Sequence, residues 1–208
     1  MTNPFKLSPK DVAAIKSYLR ALLASGITKS KISTTAYESI ATATGTGSSG
    51  TITFSSIPST YTSLQIRYIA RDTGTGVGSS ALRIRLNSDS GANYSYHSLI
   101  GDGSAVTASG TASATEYLIS RGVVAGGALA TTLCAGVIDI HDYASTTRNK
   151  TMRGFTGDDT NSTSGFWGVN LSSGLWMSTS AVNAIELRIF SDSFTTSTTV
   201  ALYGIKGS

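Results

Sequence analysis

The sequence predicts a mainly β, antiparallel sandwich or barrel with one amphipathic helix at its N-terminus, and three observations carry that expectation. In the stretch 64–71, Leu64, Ile66, Tyr68 and Ala70 fall on one face, while Gln65, Arg67 and Arg71 fall on the other with Ile69. Strict alternation of this kind marks a half-buried strand with one wet face. Similar segments, among them 82–87 and 185–190, recur between Gly/Ser/Thr turns without any βα alternation, which excludes a doubly wound fold. Only before Gly26 do apolar residues recur at helical spacing instead.

The chain's 208 residues suit one undivided β domain, and 40% apolar content is enough for a core. Charged residues make up only 13% of the chain, and Ser, Thr and Gly supply the polar surface instead. Thr favours strands; Ser and Gly favour turns. Cys134 is the only cysteine, so no intrachain disulfide can form, and its apolar neighbours Leu133 and Ala135 predict a buried core thiol. No signal peptide or membrane-length apolar run is legible, so the chain reads as made in a cytoplasm. The net charge of +4 is unevenly divided. Residues 1–31 hold six basic groups against Asp11 alone, a net of +5, whereas the remaining ten basic and eleven acidic groups net −1.

The helix is predicted from Pro9 to about Ser25. Ser8 can cap it, Pro9 fits the first helical position, and Asp11 faces the positive end of the dipole. Val12, Ile15, Leu19, Leu22 and Leu23 form an apolar stripe, Lys16 and Arg20 lie off it, and Gly26 is placed to end the helix. A helix this short is marginal alone in water and needs a surface to cover its stripe. Residues 26–35 read as a polar tether, which favours docking on a partner or a sister copy over packing on the chain's own β body. The expected division is therefore an anchor arm and tether over 1–35 and a β-sandwich over 36–208. Val12, Ile15, Lys16, Leu19, Arg20, Leu22 and Leu23 form the expected partner interface. No aromatic residues interleave with the basic ones, so nucleic-acid binding is not expected.

Eleven strands are predicted in the body, near 37–43, 51–56, 63–72, 81–87, 94–99, 115–120, 132–141, 151–156, 166–170, 184–190 and 199–205. The stretches 73–80 and 101–110 read as exposed loops between them.

No constellation commits the chain to a chemistry, and it is not expected to be an enzyme. Gly74, Gly76 and Gly78 lack the spacing of a dinucleotide fingerprint, Ser79 stands where its third glycine should be, and no helix follows. Asp139, His141 and Asp142 fall short of the converging ligand set of a zinc or calcium site, so neither metal nor cofactor is expected. Asp158 and Asp159 are adjacent on a turn and point apart, unlike the facing carboxylates of glycoside hydrolysis. His97 and His141 are the only histidines, and with no nucleophile elbow there is no triad. Four N-glycosylation patterns, at Asn93, Asn149, Asn161 and Asn170, are the chance yield of so Ser/Thr-rich a chain. Tyr61, Tyr68, Tyr94, Tyr96, Tyr117, Phe166, Trp167 and Trp176 are expected mainly in the core or between subunits.

Several blocks carry a family resemblance. Tyr37-Glu-Ser-Ile-Ala-Thr, then Thr53-Phe-Ser-Ser-Ile-Pro with Tyr61 and Leu64-Gln-Ile-Arg-Tyr, resemble virion proteins of tailed phages. So do Asn93-Tyr-Ser-Tyr-His with Gly101-Asp-Gly, Gly136-Val-Ile-Asp-Ile with Asp142-Tyr, and Ser173-Gly-Leu-Trp with Ala201-Leu-Tyr-Gly-Ile-Lys. The likeness covers roughly 37–207 and is to the jelly-roll modules of phage heads, spikes and fibres. It implies a jelly-roll-like β-sandwich, a homotrimer, and a location in the virion after synthesis in the host cytoplasm. With a short basic arm and no Gly-X-Y stalk, the chain looks more like a capsid decoration or spike protein than the tip of a long tail fibre. The implied partners are other virion proteins of the capsid or tail. The alternative implied role is a host-recognition module of a tail fibre or spike, holding cell-surface glycan on exposed loops and aromatics.

Overall fold

The computed structural model describes residues 8–24, 36–160 and 167–207. The chain divides into two units, Met1–Ala36 and Tyr37–Ser208. In the first, α1 spans Pro9–Ala24. It opens on a capping box: the Asp11 amide donates to Ser8 Oγ at 3.2 Å, and the Ser8 amide and hydroxyl donate to Asp11 Oδ2 at 3.1 and 2.7 Å. These bonds hold the Asp11 carboxyl below its ordinary value, the Ser8 hydroxyl contributing most.

The second unit is a β-sandwich of twelve strands among the described residues. In chain order they are β1 Tyr37–Thr44, β2 Thr51–Phe54, β3 Ser63–Ala70, β4 Ser79–Leu86, β5 Tyr94–Gly101 and β6 Val106–Ala114. They continue as β7 Tyr117–Val124, β8 Cys134–His141, β9 Lys150–Asp158, β10 Gly168–Trp176, β11 Ile185–Arg188 and β12 Thr199–Ile205. The large sheet runs β1-β12-β3-β8-β9-β10-β5-β6 and the small one β2-β11-β4-β7, antiparallel throughout.

The pairing has a simple logic. Strand β1 lies on β12, β2 on β11, β3 on β8 and β4 on β7. This is one long antiparallel ribbon folded back on itself and rolled into two sheets, the order of a jelly roll. The remaining four strands form two insertions, β5-β6 between β4 and β7, and β9-β10 between β8 and β11. They zip together through β5 and β10 and extend the large sheet beyond the roll as a four-stranded wing.

The core lies between the sheets and is built from the alternation legible in the sequence. Leu64, Ile66, Tyr68 and Ala70 of β3 point inward, opposite Leu82, Ile84 and Leu86 of β4 and Ile185 and Leu187 of β11. Each large aliphatic chain so buried contributes about 1.5–3 kcal/mol. Tyr94 and Trp176 stack with centroids 6.3 Å apart, and the Trp176 indole donates to Asp89 at 2.7 Å. Tyr68, Tyr94, Tyr117 and Trp176 are thus core residues, as expected. Cys134 is also buried, and desolvation, with Asp158 nearby, pushes its thiol up to about 12.

Several expectations need correction, and Gln65, assigned to the wet face, is one: it is buried beneath its bonds to Arg67 and Asp139. Arg71, assigned to a wet face, is buried just beyond the end of β3. The loop 125–132 folds over it, and its guanidinium donates to the carbonyls of Gly126, Ala128, Leu129 and Thr132 at 2.6–2.9 Å. The stretch 101–110, expected as a loop, instead contains the start of β6. Eight of the nine residues of β6 are exposed, so no buried face imposed an alternation that the sequence could display.

Candidate functional site

The residues expected to form the anchor lie on α1. Val12, Ile15, Lys16 and Arg20 are exposed, and so is Tyr18, at 68%. Leu19, Leu22 and Leu23 lie on the helix, but their side chains, like the tether, fall outside the described residues. Among the described residues no helix is long and apolar enough to cross a membrane.

On the outer face of the small sheet, β4 contributes Arg83 and Arg85 and β11 contributes Arg188, brought side by side by the pairing Arg188–Arg83 and Glu186–Arg85. All three converge on Glu116. Arg83 Nε and Arg188 Nη1 lie 2.9 and 3.0 Å from its oxygens. Arg85 Nε approaches to 3.4 Å, an ion pair without hydrogen-bond alignment. Phe190, 85% exposed, lies against the Arg83 guanidinium at 4.8 Å. Glu116 and the neighbouring Glu186 set two carboxylates against three guanidinium groups, so the face keeps surplus positive charge beside a cavity of ≈ 270 Å³. Arginine forks in such a setting suit carboxylate or phosphate groups.

The outer face of the large sheet has two halves of different chemistry. Towards β1 it is mostly polar and paired, Ile69 being its exposed aliphatic residue: Arg67 Nε donates to Gln65 and its guanidinium lies over Tyr37 and Tyr203, while Asp139 accepts from Gln65 and Arg153. Towards the wing it is apolar. Cross-strand register aligns Val137 of β8, Phe155 of β9, Leu171 of β10, Leu99 of β5 and Ala108 of β6 in a single row. Val169 and Val106 follow in the next row, with Gly157 and Gly101 between them and their neighbours. Phe155 is 57% exposed and Leu171 51%. The row borders a concavity of ≈ 580 Å³ that His97, Arg153 and Ser173 close on the polar side.

None of this was legible from the strands one at a time. The outward positions of β9 read Thr151, Arg153, Phe155, and those of β10 read Val169, Leu171, Ser173. Each is an ordinary mixed surface until the register lays them beside one another.

The remaining candidates resolve into structural roles. Asp139 is tied to Gln65 and Arg153, and Asp142 to Arg148 at 2.6 Å. Burial alone would raise the Asp139 carboxyl, but the bonds from Gln65 and Arg153 outweigh it and hold it below the ordinary value. Among the described residues no three His, Cys, Asp or Glu side chains converge as metal ligands. Asp158 is buried, which pushes its carboxyl up, and it accepts from the Ser79 hydroxyl and the Gly168 amide, whereas Asp159 is exposed. The glycine-rich stretch after β3 is shaped by buried Asp72, which accepts from the amides of Gly74 and Gly126 at 2.8 and 2.9 Å. Asn170, one of the four glycosylation patterns, is fully buried and closed to modification. Asn161 and Phe166 lie outside the described residues.

No protein-family model, curated protein or solved structure matches this chain.

Proposed function

We propose that this chain is a structural protein of a tailed-phage particle, displayed on the particle surface as a capsid decoration or spike and attached through its N-terminal helical arm. The observation that carries the reading is the contrast between the two units. A nearly neutral jelly-roll body follows a basic arm whose helix exposes Val12, Ile15 and Tyr18. An exposed apolar stripe flanked by Lys16 and Arg20 suits adhesion: apolar burial holds the helix, and positive charge steers it to an acidic capsid or tail surface. The blocks over 37–207 that resemble phage jelly-roll modules support the same reading, and they imply a homotrimer.

The test is occupancy on particles assembled with altered copies of the chain. Deletion of residues 1–31, and separately the paired substitution Val12→Asp with Ile15→Asp, should each leave a folded body that no longer associates with particles. Full occupancy with either variant would defeat the anchor assignment.

A further inference from the structure

We propose that the outer face of the wing formed by β9, β10, β5 and β6 is the surface through which copies of this chain assemble. The inference deepens, and rests on, the self-association contained in the functional reading above.

Two independent features point to a second copy as the occupant. The first is area. Val137, Phe155, Leu171, Leu99, Val169 and Val106 are all exposed on adjoining rows of one sheet face. From their fractional exposures these six residues present roughly 500 Å² of surface, in the upper half of the ~300–600 Å² range for the largest patch on a monomer and more than half of the ~800 Å² that each partner gives to a standard interface.

The second feature is the strand that borders this face. Strand β6 is the edge of the large sheet and reads Val-Thr-Ala-Ser-Gly-Thr-Ala-Ser-Ala, nine residues with no charge and no proline. Monomeric β proteins blunt such edges with lysine, proline or a covering segment, because an open row of amides and carbonyls templates pairing with another chain. Here the register irregularity opposite Tyr94 and Tyr96 and the positive φ of Ser113 lie at one end, leaving the rest of the strand regular. Among the described residues the edge is unguarded and continuous with an exposed apolar face, as a self-assembling sheet requires. The other half of the same face, covered by Arg67, Gln65 and Asp139 and their partners, lacks both features.

The experiment is solution mass by light scattering on the full chain and on two full-length variants, Phe155→Lys and Leu171→Lys. Both positions are exposed, so each change introduces a charge to be desolvated only on assembly. The wild type should be an oligomer, and each variant should fall to the mass of a single chain while keeping a cooperative thermal transition, its midpoint lowered only by the lost association. Folded variants that keep the wild-type mass would overturn the assignment of this face while leaving a homotrimer intact. A monomeric wild type would overturn the inference and the homotrimer together. Hydrogen exchange of the wild type gives a reading independent of the variants. Amides across β6 should become more protected as protein concentration rises through the assembly range, and concentration-independent exchange would reject the edge.

Discussion

Arg71 shows how much of this fold hangs on single buried side chains. Its guanidinium supplies donors to four carbonyls of one loop, at Gly126, Ala128, Leu129 and Thr132, in a site only 7% exposed. A planar fork can spread its donors over such a ring, whereas an ammonium gathers three donors at one point. Removing it strands several buried acceptors, each costing about 1–3 kcal/mol. Arg71→Ala is therefore expected to destabilise the protein by about 3 kcal/mol or more, and Arg71→Lys to recover less than half of that. Urea unfolding of the three proteins measures it, and equal stability of Arg71→Ala and wild type would refute the clamp. The sequence offered no warning. Arg71 continues the outward face of Gln65 and Arg67, and only the loop folding over the end of the strand turns an exposed position into a buried one. Lys150 repeats the lesson, fully buried with its ammonium donating to the carbonyls of Ser145, Arg148 and Ser178.

At the scale of elements, the wing is held to the roll by an aromatic ring lying on glycine. Tyr117 of β7 is fully buried against the inner face of β9 and β10, its hydroxyl 2.6 Å from Ser172 Oγ. A Cβ added at Gly174 would stand 2.5 Å from Tyr117 Cδ2, and one at Gly154 would stand 2.9 Å from its hydroxyl oxygen. These glycines are present because the ring occupies their side-chain space. Gly174→Ala is expected to cost about 1–3 kcal/mol through overpacking. Thermal unfolding should show this cost relieved when Tyr117→Leu is added, since a smaller side chain vacates the space. A variant as stable as wild type, or a cost unchanged in the double variant, would contradict the contact. This packing also explains why sequence reading drew the strand at 166–170 when β10 runs from Gly168 to Trp176. Ser172-Ser173-Gly174 has the composition of a turn, and the Tyr117 ring that fills the space over Gly174 lies more than fifty residues away. Where the inward face carried large apolar residues, as in β3, β4 and β12, the alternation was plain and the elements fell close to their expected positions.

For the molecule as a whole, the rolled ribbon makes the last strand central instead of peripheral. Strand β12 sits between β1 and β3, pairing with both along nearly its whole length, and its Val200 and Leu202 are buried in the core. Losing it would strip β1 of its one neighbour among the described strands and leave β3 as a new edge. It would also open the core beside Leu64 and Ile66. A chain ended after Thr198 is therefore expected to lack a cooperative thermal transition, because Val200 and Leu202 with the uncovered Leu64 and Ile66, at about 1.5–3 kcal/mol each, are together comparable with the whole stability margin of about 5–15 kcal/mol for a domain. The β5-β6 hairpin offers the contrast. It lies at the far edge of the same sheet, and β6 buries none of its residues. Replacing 102–114 by a Gly/Ser link of the same length, which can still span the length of β5 from Gly101 back to Thr115, should keep a cooperative transition, with the loss confined to what β5 gains from its outer neighbour. Calorimetry on the two variants decides between a closed roll with an appended wing and one sheet of equivalent strands. The roll requires the C-terminal deletion to abolish the transition and the β6 replacement to keep it; the reverse order, or equal damage from both, would reject it.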